Sequence, residues 1–274
     1  MDTKDMVFLA SADEMDAVKT FECGQCFRWN CDENNVYTGV VRGAAARLVT
    51  RDGGLYLQTS GPGKTDMWRE YFDLDVDYES VSLAFDGGDY LKKCVQYGRG
   101  IRILKQEPWE ALCSFIISQC NNIPRIKKIV ETLCSCFGDP VEFDGMMLHA
   151  FPPAERIAQL SSDDLAPLRC GYRAPYIISA AQDVVRGRID LDKLAGMGFD
   201  DAIAELRTMQ GVGPKVANCV ALYGLHQMNG FPIDTWMKKA LTEHFPADFD
   251  PRTLGEYAGL AQQYIFYYTR SGGE

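Results

Sequence analysis

A Gly-x-Gly-Pro turn between two helical patterns constrains this chain more than any other feature. Ile203, Leu206 and Met209 are apolar at helical spacing in the stretch that begins at Phe199. Gly211-Val212-Gly213 then breaks the pattern, and Pro214 suits the first position of a second helix. That helix runs through Val216, Cys219, Val220 and Tyr223 to about Leu225. The two glycines permit backbone angles and close approaches that other residues resist. The expected unit is helix, tight hairpin, helix. Its free amides at the turn and helix start suit an anion such as a phosphate. Taken alone, the same turn is equally an ordinary helical hairpin.

Lys215 adds chemistry to the hairpin. It falls in the first turn of the second helix, where the macrodipole is positive and a cation is disfavoured. That position, with partial burial, favours the free amine, which is a nucleophile. Downstream, Gly230-Phe231-Pro232-Ile233-Asp234 leads into a further helical pattern with Asp234 at the N-cap. By itself such an aspartate is most often only a cap. Together, Leu206 to Ala217 and Phe231 to Asp234 resemble the helix-hairpin-helix/Gly-Pro-Asp DNA glycosylase superfamily. A lysine at position 215 is similar to its bifunctional members, which cut the base and then nick the strand.

The rest of the chain is that of a globular protein. The hydrophobic content is 46% and the charged content 24%. No apolar run approaches a membrane span, and the acidic, polar start at Met1 to Met6 does not read as a signal peptide. Ten cysteines in a chain this long suggest free thiols in a reducing cell interior rather than a secreted disulfide framework. Cys23-Gly24-Gln25-Cys26 and Cys134-Ser135-Cys136 lack partners for a zinc site. The net charge of −10 opposes DNA binding, so a local basic strip is required. Arg125, Lys127, Lys128, Arg173, Lys215, Lys238 and Lys239 lie near the motifs and are the expected strip.

The fold class reads as α+β. Cys26 to Asn30, Val36 to Arg42, Ala46 to Thr50 and Gly54 to Thr59 are short and rich in aromatic or β-branched residues. Turn signals at Glu33-Asn34-Asn35 and Asp52-Gly53-Gly54 separate them. They predict an antiparallel sheet, with helices around 12–20 and 65–73. From about Tyr78 helical patterns dominate: Trp109 to Gln119, Ile123 to Phe137, Tyr176 to Val185 and Thr253 to Tyr268. The expected domains are a strand-rich 1–100 and a helical 101–274. The active site should lie in a cleft between two helical subdomains.

These motifs occur in a definite order. Gly24 to Trp29 comes first, then Trp109 to Ile126, then Cys170-Gly171-Tyr172-Arg173. The set Lys215, Cys219 and Asp234 follows, and Ala258 to Phe266 closes the series. This is similar to the eukaryotic-type 8-oxoguanine DNA glycosylase/lyases over nearly the whole chain. Short termini and lean loops look like a prokaryotic member. The resemblance implies that Lys215 attacks the sugar C1′ carbon and that Asp234 stabilises the charge developing there. It places Cys219 against a flipped base, Gln262 on that base's edge and Phe266 on its face. Alone, Cys219 is equally a small core residue, and Gln262 with Phe266 a face of an amphipathic helix. Gly24 would aim its carbonyl at N7, which accepts in guanine and carries hydrogen in 8-oxoguanine. Alone, it is a turn glycine.

Asn121, Asn122, Arg125, Tyr172 and Arg173 look like the group that opens the strand and meets the opposite base. Gly211 and Gly213 would grip the backbone, and Trp236 would stand near the flipped nucleotide's phosphate. The chain departs from the family at Cys120, where three consecutive asparagines are usual, and at Trp236, where many relatives have histidine. The implied partner is duplex DNA containing 8-oxoguanine, met by a monomer. The implied location is intracellular, in the cytoplasm at the nucleoid for a prokaryote, with no membrane. No metal or other cofactor is expected. The iron–sulfur cluster of some relatives cannot form in its usual place, because no cysteine follows Cys219. Two other readings stand: a glycosylase for another damaged purine, and a non-catalytic helix-hairpin-helix DNA-binding module. Lys215 and Asp234 together argue against the module.

Overall fold

The computed structural model describes residues 6–60 and 65–272. The polar run at residues 1–5, on which the absence of a signal peptide is read, lies outside them. The architecture is α+β, as expected. Strand β1 (Val7–Ser11), helix α1 (Ala17–Glu22) and strands β2 (Asn30–Cys31), β3 (Tyr37–Val41), β4 (Ala44–Arg51) and β5 (Gly54–Thr59) come first. The strands form one antiparallel sheet in the order β1-β5-β4-β3-β2. Helix α2 (Thr65–Tyr71) follows β5. Tyr37, Ala46, Leu48, Leu55 and Leu57 alternate along their strands onto one face and are buried with Phe21, Trp29, Trp68 and Phe72. Phe21 stacks on Trp29 with ring centroids 4.4 Å apart.

Two readings of this region change. Cys26 to Asn30 is not a strand; pairing begins only at Asn30. The reason is burial without alternation. Cys26, Phe27, Arg28 and Trp29 are all buried in succession. Cys26 and Trp29 enter the sheet core while Phe27 enters the helical core, so the segment is a wedge between two cores. The helix expected around 12–20 starts at Ala17, because Asp16 caps it by accepting from the Lys19 amide at 3.0 Å. Strand β1 was not anticipated. Its exposed Val7 and Phe8 and buried Leu9 and Ala10 give no period-2 signal.

The helical body comprises α3 (Tyr78–Leu83), α4 (Gly88–Gly98), α5 (Pro108–Ile117), α6 (Ile123–Phe137), α7 (Ala154–Ile157), α8 (Ala174–Val185), α9 (Leu191–Ala195), α10 (Phe199–Leu206), α11 (Pro214–Tyr223), α12 (Thr235–His244) and α13 (Ala258–Ser271). Every residue of α5 from Ala111 to Ile117 is buried, which makes it the central helix. A hairpin of β6 (Pro140–Phe143) and β7 (Met146–His149) interrupts the helices. Its Asp144-Gly145 turn has positive φ at both positions and is a direct hairpin signal. Phe143 packs on Val40 and Ala45, behind the sheet. The single helix expected over 253–268 is split. Gly255 takes φ +78 after a 3-10 turn at Pro251–Leu254, and α13 begins at Ala258.

A buried carboxylate joins the two halves. Asp73, just after α2, is 2% exposed. It accepts from the Tyr78 hydroxyl at 2.7 Å and lies 2.9 Å from Lys105 Nζ and 3.4 Å from His226 Nε2. Burial pushes its carboxyl up, but the His226, Tyr78 and Lys105 contacts outweigh this and hold it at about 2. The folded value lies below the ordinary 3.8, so its stabilisation is present above that pH and is lost as pH falls through 2. Asp73→Asn should lower stability at pH 7 by about 2 kcal/mol, discounted for the part-exposed Lys105. The loss should vanish below pH 2. Urea midpoints at neutral and acid pH test this, and equal neutral midpoints would show the cluster adds nothing to the joint.

Candidate active site

The hairpin forms where the glycines allow it. Gly211 takes φ +80, and a Cβ there would come within 2.4 Å of Tyr176. Gly213 differs from expectation. Its φ of −87 and ψ of −179 are extended backbone open to any residue, and it serves as N-cap of α11. Space around it is open, so backbone there is free to approach a phosphate. Val212 and Met209 are buried beneath the turn and anchor it.

Helix α11 buries Val216, Ala217, Cys219 and Val220, which leaves Lys215 at the edge of the core. Lys215 Nζ donates to Ser118 Oγ at 3.3 Å and lies 5.4 Å from the centre of the Phe115 ring. Among the described residues neither Lys215 nor Asp234 forms an ion pair, so the amine is not locked to a carboxylate. Asp234 caps α12, accepting from the Met237 amide through Oδ1 at 2.9 Å. Cys219 stands one turn after Lys215 and is buried. Burial pushes its thiol up while Lys215 draws it down, with a net rise, so the sulfur is a neutral thiol at pH 7.

One cavity of about 40 Å³ gathers Gly24, Lys215, Cys219, Asp234, Gln262 and Phe266. All the catalytic and base-binding positions read from the sequence therefore meet in one place. The volume holds a few waters, at about 10–15 Å³ of probe space each, and is too small for a purine. Gly24 takes φ +82, and a Cβ there would meet Ile123 at 3.3 Å and Phe266 at 3.6 Å. The sequence reading missed Phe115 and Tyr223, which stack 5.3 Å apart on the cavity wall, and Ser118. Tyr223 was findable, because 215, 219 and 223 share a helical face. Phe115 was not, since one aromatic in a wholly buried helix carries no signal of its own.

The likeness to known proteins matches this geometry. Residues 7–112 match the 8-oxoguanine DNA glycosylase N-terminal domain, and residues 113–256 the HhH-GPD superfamily of base excision DNA repair proteins. The N-glycosylase/DNA lyase OGG1 of Arabidopsis thaliana is 32% identical over 90% of this chain and 75% of its own. The chain belongs to the 8-oxoguanine DNA glycosylase family. Two solved structures agree. The Clostridium acetobutylicum 8-oxoguanine glycosylase/lyase, bound to double-stranded DNA with cytosine opposite 8-oxoG, superposes with a TM-score of 0.91. It is 32% identical, over 99% of this chain and 97% of that one. MBOgg1 with a low-affinity DNA ligand also gives 0.91, at 37% identity over 100% and 98% of the chains.

In this glycosylase the α5–α6 turn links the cavity to a second group. Ser118 touches Lys215, while the next carbonyl, of Gln119, accepts from Arg173 Nε at 3.0 Å and from the Tyr172 hydroxyl at 3.4 Å. Arg173 is buried, and its guanidinium also donates to the Cys120 and Cys170 carbonyls. Its fork is turned inward here. Arg125 is exposed, with Nη2 3.3 Å from the Arg169 carbonyl. Asn122 caps α6 by accepting from the Arg125 amide, and Asn121 donates to the Ile117 carbonyl. Tyr172 is 52% exposed and Trp236 41%, both outside the cavity. The basic strip is thinner than its residues suggest, because Lys127 pairs with Glu22 at 2.9 Å. Arg125, Lys128, Lys238 and Lys239 are exposed.

No helix among the described residues is long and apolar enough to cross a membrane. All ten cysteines are unpaired.

Proposed function

We infer that this protein excises 8-oxoguanine from duplex DNA and then nicks the strand at the abasic sugar. The observation that carries this is one cavity with Lys215 and Asp234 beside Gly24, Gln262 and Phe266. Lys215 Nζ attacks C1′, the C1′–N9 bond breaks, and the base leaves with its electron pair. The C1′–O4′ bond then breaks as the sugar ring opens, with O4′ taking the proton given up by the amine, and C1′ becomes doubly bonded to Nζ as a Schiff base. That group withdraws electrons, so C2′ loses a proton and the C3′–O bond breaks, the phosphate leaving with the electron pair. Asp234 stabilises the positive sugar before the new bond is complete. This route runs on the amine of Lys215 and calls for no cofactor. The base leaves the stack to enter the cavity, which must widen to accept it. The protein acts as a monomer, inside the cell with its DNA. Cleavage of duplexes carrying 8-oxoguanine opposite each of the four bases tests the reading. No cleavage of any of them, with activity on another damaged purine, would replace it.

Cys120 should weaken the preference for cytosine opposite the lesion. Its thiol is exposed, and its backbone sits at φ +47, where asparagine is better tolerated than cysteine. Cys120→Asn should therefore do two things. The excision ratio for 8-oxoguanine opposite cytosine against adenine should rise by up to about fivefold. The melting temperature should also rise slightly. An unchanged ratio would mean that residue 120 does not face the orphaned base.

A further inference from the structure

Four consecutive carbonyls, of residues 22–25, run from the end of α1 past the cavity, and three of them are closed. The Glu22 carbonyl accepts from Arg270 Nη2, and the Cys23 carbonyl from Gln263 Nε2 at 3.0 Å. The Gln25 carbonyl accepts from Gln106 Nε2 at 2.7 Å. Among the described residues the Gly24 carbonyl accepts nothing. Gly24 also lines the cavity.

The donors are held firmly. Gln263 is 1% exposed, and its Oε1 accepts from the Tyr223 hydroxyl. That contact fixes which way the amide points, so Nε2 faces Cys23. Gln25 is fully buried, donates to the Thr20 and Arg102 carbonyls and accepts from the Leu104 amide. Arg270 lies over the Phe266 ring at 5.4 Å, so one α13 side chain touches both the loop and the stacking residue. A glycine at φ +82 gains access to its conformation but no rigidity. Rigidity must come from its neighbours, and here they are pinned on both sides.

We propose that Gln263, with Arg270, is a positioning residue that aims the Gly24 carbonyl at the flipped base. The proposal rests on the function inferred above, in which that carbonyl accepts from the N7–H of 8-oxoguanine and repels N7 of guanine. Gln263 and Arg270 set the direction of the reading atom without touching the base.

The test measures binding in the non-reacting Lys215→Gln protein, with duplexes that carry 8-oxoguanine or guanine opposite cytosine. Gln263→Met keeps the volume and removes both hydrogen bonds. It should cut the lesion-to-guanine affinity ratio by about tenfold, through lost lesion binding. With Lys215 restored, cleavage of a ready-made abasic site, which holds no base to read, should fall far less than excision. A loss of packing alone would lower both affinities together and leave the ratio intact. Tyr223→Phe frees the Gln263 amide while keeping the ring, and should cut the ratio by about threefold. It decides the matter if Gln263→Met does not fold. An unchanged ratio in a folded variant overturns the proposal and leaves the function standing. A parent protein that neither discriminates nor, with Lys215, excises the lesion overturns both.

Discussion

Lys215→Gln protein should form no covalent adduct when borohydride is added to its reaction with 8-oxoguanine duplex, whereas the unaltered protein should be trapped. Glutamine retains most of the stem and can still donate to Ser118 Oγ, which Lys215 contacts at 3.3 Å. It has no nucleophilic amine. Excision and nicking should fall together, on the order of 10⁴-fold or more, the scale seen when a covalent nucleophile is removed. Circular dichroism should be unchanged, because Lys215 is only partly buried and forms no ion pair among the described residues. A trapped adduct of equal yield in the variant would place the nucleophile elsewhere. A protein that binds lesion DNA yet gives no adduct even unaltered would fit a non-catalytic module.

Asp234→Asn should lose most excision while keeping its fold and its affinity for the lesion. Asparagine caps helices as well as aspartate does, so the bond from the Met237 amide at 2.9 Å survives. What disappears is a fixed negative charge beside the sugar. Removing one preorganised stabiliser of this kind costs about 3 kcal/mol, or roughly 100-fold in rate. Single-turnover excision gives the rate, and an unchanged melting temperature excludes lost capping as the cause. Near-normal excision from the folded variant would mean that charge at C1′ is met by another group.

The chain itself determined the hairpin and the helical body, and its ordered motifs, through their resemblance to the family, gave the cavity positions Gly24, Cys219, Gln262 and Phe266. Local rules suffice for the hairpin and the helices. Pro214 and Asp234 start helices, Gly211 needs φ +80, and the spacings 215–219 and 262–266 put pairs on shared faces. Residues distant in sequence then converge on one cavity because α11 and α13 carry Lys215, Cys219, Gln262 and Phe266, Asp234 caps α12, and the Gly24 bend is tied to α13 by Gln263 and Arg270.

Where side chains serve two cores, or pair across the fold, only the tertiary structure decided. Cys26 to Trp29 has the composition of a strand and becomes a wedge, because two cores draw its neighbouring side chains apart. The β6–β7 hairpin around Asp144-Gly145 was not read from the sequence, and its Phe143 is buried against Val40 and Ala45 of the sheet. Gly213 shares a motif with Gly211 yet needs no special angle. Arg173 and Lys127 looked like free cations and are tied to carbonyls and to Glu22, because backbone carbonyls and a carboxylate from distant segments lie within their reach. The same holds for Gln263. The sequence singled out Gln262 by its spacing to Phe266 and its place in the motif, but nothing in it gave Gln263 a partner. Helix rotation alone puts Gln262 on the cavity and Gln263 against Tyr223 and the Cys23 carbonyl.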